Sequence, residues 1–256
     1  MDAPFRGNTT KAEAKGRSRQ ENQDELGVCR IRRQTADDRR PQTLGSGFVV
    51  KDLQIFPGVS FSYCLISSDK VFLKDCNIEC YFLDFKKLNS ADLETVELTH
   101  VADEPSNFTR TSGLVLIPIN PSKKQKKYNK DHSIFTYRPF KVANEGIPPD
   151  EDLKTLKCYF VEEDSGRTNF SLTSLALKRS ETNSMQYQLH EVNEPPHTKY
   201  GDILSRGGHR KPYGAVILKP SKKEFVAVGA LTFADNEERN ICCPLFPLPL
   251  HTSKYQ

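Results

Sequence analysis

Hydrophobic positions along this chain come in short bursts separated by turn-forming residues, and the bursts are too brief for helices. From Gly45 onward, Gly45-Ser46-Gly47-Phe48-Val49-Val50, Ser60 to Ile66, Glu79 to Leu83, Thr95 to Leu98 and Gly113 to Ile119 are each four to seven residues long. Length, β-branched and aromatic content and flanking turn residues predict strands, and their even spacing predicts an all-β barrel or sandwich. A second series follows: Phe140 to Ala143, Lys157 to Val161, Phe170 to Leu177, Tyr187 to Val192, Ala215 to Leu218 and Glu224 to Phe233. Between Val161 and Phe170, Asp164-Ser165-Gly166 reads as a hairpin turn, and the pairs Pro148-Pro149 and Pro195-Pro196 mark loops.

Two segments break the pattern. Residues 1 to 43 alternate positive and negative side chains with few apolar ones, which buries too little surface to offset conformational entropy; they predict a disordered charged arm. Within it, Leu26 to Ile31 is the one stretch able to pair as an extra strand. The second segment, Lys123-Lys124-Gln125-Lys126-Lys127, is too polar for a core and predicts an exposed linker over residues 121–138. The expected organisation is thus an arm (1–43) and a β domain (44–250), with a first barrel near 44–120 and a second near 139–250.

Composition narrows the classes. With 256 residues the chain can bury a sizeable core. A 36% hydrophobic content, no Trp and a mean hydropathy of −0.60 describe a folded domain with polar extensions. No apolar run approaches the roughly 18 residues of a membrane span, and Met1 to Arg6 lacks the apolar stretch of a signal peptide. The expectation is a cytoplasmic protein, with the nucleus left open, and no membrane partner. The net charge of +4 is too small to imply nucleic acid by itself. Arg30 to Arg40 and Lys123 to Lys130 offer phosphate contacts, but only Tyr128 and Tyr137 stand near them for base stacking, so nucleic acid is the weaker partner class.

Seven cysteines without regular spacing, in a reducing compartment, predict free and mostly buried thiols. Cys76, Cys80, Cys242, Cys243 and His251 were they to converge would make a zinc site, but a vicinal pair fits tetrahedral ligation poorly. Neither metal nor cofactor is expected.

The loop and two strands from Gly208 to Phe233, Gly208-His209-Arg210-Lys211-Pro212-Tyr213-Gly214-Ala215-Val216 and then Val226-Ala227-Val228-Gly229-Ala230, resemble the nucleophile region of trypsin-like serine proteases (chymotrypsin fold, PA clan, peptidase S1), where G-D-S-G-G-P-V precedes a V-V-G-I strand. The resemblance spans about residues 45–246 and implies two six-stranded antiparallel β-barrels. It also implies the positions of a catalytic triad. Lys70, in Leu65-Ile66-Ser67-Ser68-Asp69-Lys70, falls at the histidine; Thr111, or Ser112 by one residue of slip, falls at the aspartate; Tyr213 falls at the serine. A triad needs an imidazole base, a carboxylate that orients it and a hydroxyl nucleophile beside oxyanion donors, and none of the three is present. Lys211 replaces the glycine two residues before the nucleophile, where Pro212 also restricts it. Loss of the oxyanion hole alone removes about 3–4 kcal/mol of transition-state stabilisation. The resemblance therefore implies a pseudoprotease that binds a protein or peptide. The contrary readings are an active peptidase of the same fold, a Ser–Lys pair built from Lys70 with Ser67, Ser68 or Ser112, and a scaffold working through its arm and loops. The six histidines show no metal-ligand spacing, and oligomeric state is not encoded in the pattern.

Overall fold

The computed structural model describes residues 27–36, 41–56, 59–72, 78–87, 92–103, 109–120, 138–145, 156–164, 167–179, 187–191, 213–221, 224–233, 240–246 and 248. Among them the chain is all-β. The first half carries β1 (Val28–Arg33), β2 (Gln42–Phe56), β3 (Val59–Ser68), β4 (Tyr81–Lys86), β5 (Leu93–Glu97), β6 (Thr109–Thr111) and β7 (Leu114–Pro118). A 3-10 turn at Ile78–Cys80 and one short helix, α1 (Leu98–Val101), are the helical pieces described. After β8 (Phe140–Val142) come β9 (Lys157–Asp164), β10 (Arg167–Arg179), β11 (Tyr187–Glu191), β12 (Val216–Pro220), β13 (Phe225–Phe233) and β14 (Asn240–Pro244). No helix among the described residues is long and apolar enough to cross a membrane.

All of these strands join one hydrogen-bonded sheet, folded on itself in two places. In the second half the antiparallel pairings run β9 to β10, β11, β14, β13, β12 and back to β9, so each strand has two neighbours from the same set. In the first half the path runs β5, β4, β1, β2, β3, β7, β6. Its far sides meet after α1, where Ala102 bridges Ile119, the Asp103 N–H donates to the Pro118 carbonyl and the Asn120 N–H to the Val101 carbonyl.

Alternation along the strands assigns two apolar cores. Leu65 on β3, Val49 on β2 and Val115 and Ile117 on β7 point into the first half, where they meet Cys29, Ile31, Leu83 and Phe85. Their neighbours Phe48, Val50, Ile66, Leu114 and Leu116 point the other way and pack on Tyr159, Val161, Val216, Leu218 and Ala230 of the second half. Strands covered on both faces read as unbroken apolar runs such as Leu114-Val115-Leu116-Ile117, all fully buried. Full burial of each such side chain contributes roughly 1.5–3 kcal/mol, so the contact between halves is a core in its own right.

Three expectations need correction. The arm does not extend to residue 43: the Leu26 to Ile31 stretch named as able to pair carries β1, which pairs with both β2 and β4 and buries Val28, Cys29 and Ile31. The start of β2 also falls within the expected arm; residues 1–26 lie outside the described part. Second, β8 does not join the second ring as an antiparallel strand. It pairs in parallel with β2 on one side and β13 on the other, and so links the halves. Third, β6 and β14 were not foreseen as strands. The linker 121–137 lies outside the described residues. β9 and β10 pair antiparallel with Arg167 opposite Asp164, while Ser165 and Gly166 of the expected turn lie outside the described residues.

Candidate functional site

Three turns meet at one end of the seam between the halves, and they carry the three positions singled out in the sequence. Lys70 lies in the turn after β3, Thr111 ends β6 at the tight turn into β7, and Tyr213 precedes β12. The first two turns are joined by the Asp69 N–H donating to the Gly113 carbonyl at 2.8 Å. At the β6–β7 turn Ser112 (φ +46°) and Gly113 (φ +81°) are both left-handed, the requirement of a two-residue type I′ hairpin. Gly113 also faces Thr232 of β13, whose Cβ is 3.3 Å from the place a side chain would start. Next to Thr232, the Leu231 carbonyl accepts from the Gly214 N–H at 2.9 Å, and the Leu231 N–H donates to the Ala215 carbonyl at 2.8 Å, which docks the Tyr213 turn on β13.

Ser46 on β2 ties this cluster to both halves. Its N–H donates to the Tyr213 carbonyl (2.8 Å), its carbonyl accepts from the Ser67 hydroxyl (2.6 Å) and its hydroxyl accepts from the Val161 N–H (2.9 Å). Ser46, Ser67, Ser68, Thr111 and Thr232 are all buried, so a seam of small hydroxyls runs between two apolar cores. Buried polar groups persist where they are hydrogen-bonded, and here they fix how the halves meet. Truncating Ser46 to alanine leaves the Val161 N–H without its acceptor and is expected to cost about 1–3 kcal/mol in urea unfolding. A loss below about 0.5 kcal/mol would mean that the hydroxyl does not hold the halves.

The side chains at the three positions have different settings. Lys70 is exposed, with its N–H donated to the Ser68 hydroxyl at 3.3 Å. Thr111 is buried. Tyr213 is half-buried and packs with Leu44 on the first-half core; its Cβ and Val71 both crowd the space above Gly45. The exposure of Lys70 removes the desolvation that a lysine base requires. The Ser67 proton is given to the Ser46 carbonyl. The site therefore brings together Lys70, Thr111 and Tyr213 as neighbouring turns without assembling a base beside a nucleophile. Lys211 lies outside the described residues. Sequence reasoning missed Ser46 and Thr232; their signal was a small hydroxyl within otherwise apolar strands.

Three of the described cysteines, Cys29, Cys64 and Cys243, are buried and offer no alternative nucleophile. Burial pushes the Cys29 thiol well up, the negative charge of Asp84 adding to it, and burial does the same for Cys64. Cys243 is pushed up to about 12 by burial. These thiols stay protonated near neutrality and pack as small apolar groups. Cys76, the Cys242 side chain and His251 lie outside what is described, and among the described residues no three His, Cys, Asp or Glu side chains converge as metal ligands.

No family model matches the chain. No curated protein matches it. Among solved structures it is similar to the protease of tobacco vein mottling virus, at 11% identity and a TM-score of 0.44 over 95% of this chain and 83% of that one. It is also similar to the active form of the Rv3671c protease from M. tuberculosis, at 11% identity and a TM-score of 0.47 over 95% of this chain and 89% of that one.

Proposed function

We propose that this chain is a trypsin-like double β-barrel that has lost its catalytic triad and serves as a protein- or peptide-binding module. The observation that carries the reading is the meeting of the Lys70, Thr111 and Tyr213 turns at one buried seam, with an exposed lysine, a buried threonine and a core-packed tyrosine where a base, its carboxylate and a nucleophile would stand. The ring of six pairings in the second half supports one barrel, and the Ala102–Ile119 bridge supports near-closure of the other. Sheet edges beside such a seam bind extended segments through main-chain hydrogen bonds, which needs no triad.

The basic-patch reading loses part of its footing, because Arg30 and Arg32 are both bound to Asp84. An active serine-type peptidase is the contrary outcome of the following test. Purified protein mixed with a proteome-derived peptide library and read by mass spectrometry is expected to yield no cuts, while the immobilised protein retains a selected set of peptides. Cuts made by the unaltered chain and lost on Tyr213→Phe or Lys70→Ala would overturn the degenerate-triad reading. Absence of both cuts and retention would overturn the binding role.

A further inference from the structure

At the opposite end of the same seam, the chain shows what kind of segment fits between its halves. β8 lies in a slot between β2 and β13, with Phe140 opposite Val50, Lys141 opposite both Lys51 and Val226, and Val142 opposite Ala227. The Ala143 N–H continues the ladder to the Ala227 carbonyl at 2.9 Å. Side chains alternate as the pleat requires. Phe140 is buried, edge-on to Phe48 at 6.4 Å between ring centroids, and Val142 packs on the core shared by the halves. Lys141 points outward and pairs with Glu224, whose carboxyl is held below its usual range chiefly by that hydrogen bond. The slot is shaped for an aromatic ring: a side chain on Gly27 would begin 2.6 Å from the Phe140 ring and 2.5 Å from the Arg138 carbonyl oxygen.

We propose that this slot is a second binding site, selective for an extended segment of pattern aromatic–Lys–β-branched running parallel to β2 and β13, and that Phe140–Val142 is its internal occupant, displaced by a partner protein carrying the same pattern. The specificity is read from the occupant itself. One ring fills the cavity beside Gly27, one ammonium meets Glu224, and one branched side chain caps the core. Few ladder bonds hold β8, with two register partners on each neighbour where β2 and β3 share eight, so the buried Phe140 ring is its main anchor and a partner must supply an equivalent ring to displace it. The internal segment competes at an effective concentration on the order of millimolar, which weakens a free peptide's apparent affinity until the occupant is loosened. This proposal does not rest on the trypsin-like reading, and it concerns the end of the seam away from Lys70 and Tyr213.

The test uses the full chain and a fluorescein-labelled, end-capped peptide carrying residues 138–143, followed by anisotropy. The Phe140→Ala chain is expected to bind the peptide at least tenfold more tightly than the unaltered chain. A peptide with alanine in place of its phenylalanine loses that gain. A peptide with glutamate in place of its lysine binds poorly to Phe140→Ala and recovers when Glu224→Lys is added. If Phe140→Ala fails to fold, Lys141→Glu serves in its place: the altered side chain is 53% exposed, so the core is untouched, and a second carboxylate beside Glu224 loosens the segment. That variant is expected to bind the peptide at least threefold more tightly than the unaltered chain. Folded variants that bind no better than the unaltered chain would overturn the proposal.

Discussion

Replacing Asp84 with alanine is expected to destabilise the protein by about 3–5 kcal/mol, the range for removing one partner of a buried ion pair. The carboxylate sits on β4 directly between Arg30 of β1 and Thr95 of β5 in the strand register. It accepts from Arg30 Nε (2.7 Å), Arg32 Nε (2.6 Å), Arg32 Nη2 (2.7 Å) and the Thr95 hydroxyl (2.6 Å), and its side chain is 1% exposed. The pair as a whole need not stabilise much, since desolvation offsets Coulomb attraction; removing the anion alone takes the Asp84 charge away from two partly buried guanidinium groups. The pH dependence follows from the same contacts. Burial pushes the Asp84 carboxyl up, but hydrogen bonds from Arg32 and Thr95 and the charges of Arg30 and Arg32 outweigh it, and the net direction is down. A carboxyl depressed in the folded state contributes stability that is fully present above its unfolded value of about 3.9 and is lost as pH falls through the folded one. Urea unfolding of the unaltered chain should therefore lose this contribution below about pH 4, while Asp84→Ala shows a shallower fall there. A difference under about 1 kcal/mol at pH 7 would mean that water screens the cluster as it does a surface pair.

That cluster also explains why the charged arm reads as longer in sequence than it is, with β1 visible there only as a stretch able to pair. Cys29-Arg30-Ile31-Arg32 has the period of a half-buried strand, but its two arginines occupy the outward face and are neutralised by a residue more than fifty positions away. Composition registers the charges and cannot register the partner. The longer strands were legible for the opposite reason: Phe48 to Val50 and Leu114 to Ile117 are covered on both faces, so apolar character is continuous. β6 is three residues long, and β14 ends in a proline-rich stretch, so neither rises above its surroundings as a pattern. Phe140 to Ala143 was legible as a strand, but its parallel pairing to both halves depends on contacts far away in sequence.

At the candidate site the turns were legible and the seam was not. Tyr213, Thr111 and Lys70 stand out because they occupy loop positions between strong strands. Ser46, Ser67 and Thr232 are small, compatible with strands and silent in any hydrophobic pattern, yet they form or flank the hydrogen bonds that fasten the turns together. The site is thus defined less by its most conspicuous side chains than by main-chain carbonyls and amides, which sequence does not display.

The second large effect is expected at Gly214, where the seam is tightest. Gly214 has φ +77°, and a Cβ there would fall 2.0 Å from the Ser46 carbonyl oxygen and 2.3 Å from the Ser67 hydroxyl. Left-handed backbone alone costs a non-glycine residue about 1–2 kcal/mol. Ser46 cannot move away freely, because its three hydrogen bonds reach Tyr213, Ser67 and Val161. Any shift that admits the methyl group breaks at least one of them, at about 1–3 kcal/mol for each buried group left unpaired. Gly214→Ala should therefore lose more than about 4 kcal/mol and unfold in two steps if the halves come apart first. Gly113→Ala provides the contrast. Its φ is +81° but its nearest obstacle, the Thr232 Cβ, is 3.3 Å away and is a side chain, so about 1–2 kcal/mol of backbone strain is the main loss. Equal losses at the two glycines would show that the strain lies in the left-handed backbone and that Ser46 yields; a loss at Gly214 at least twice that at Gly113 would show that the seam is rigid and that the two halves depend on it.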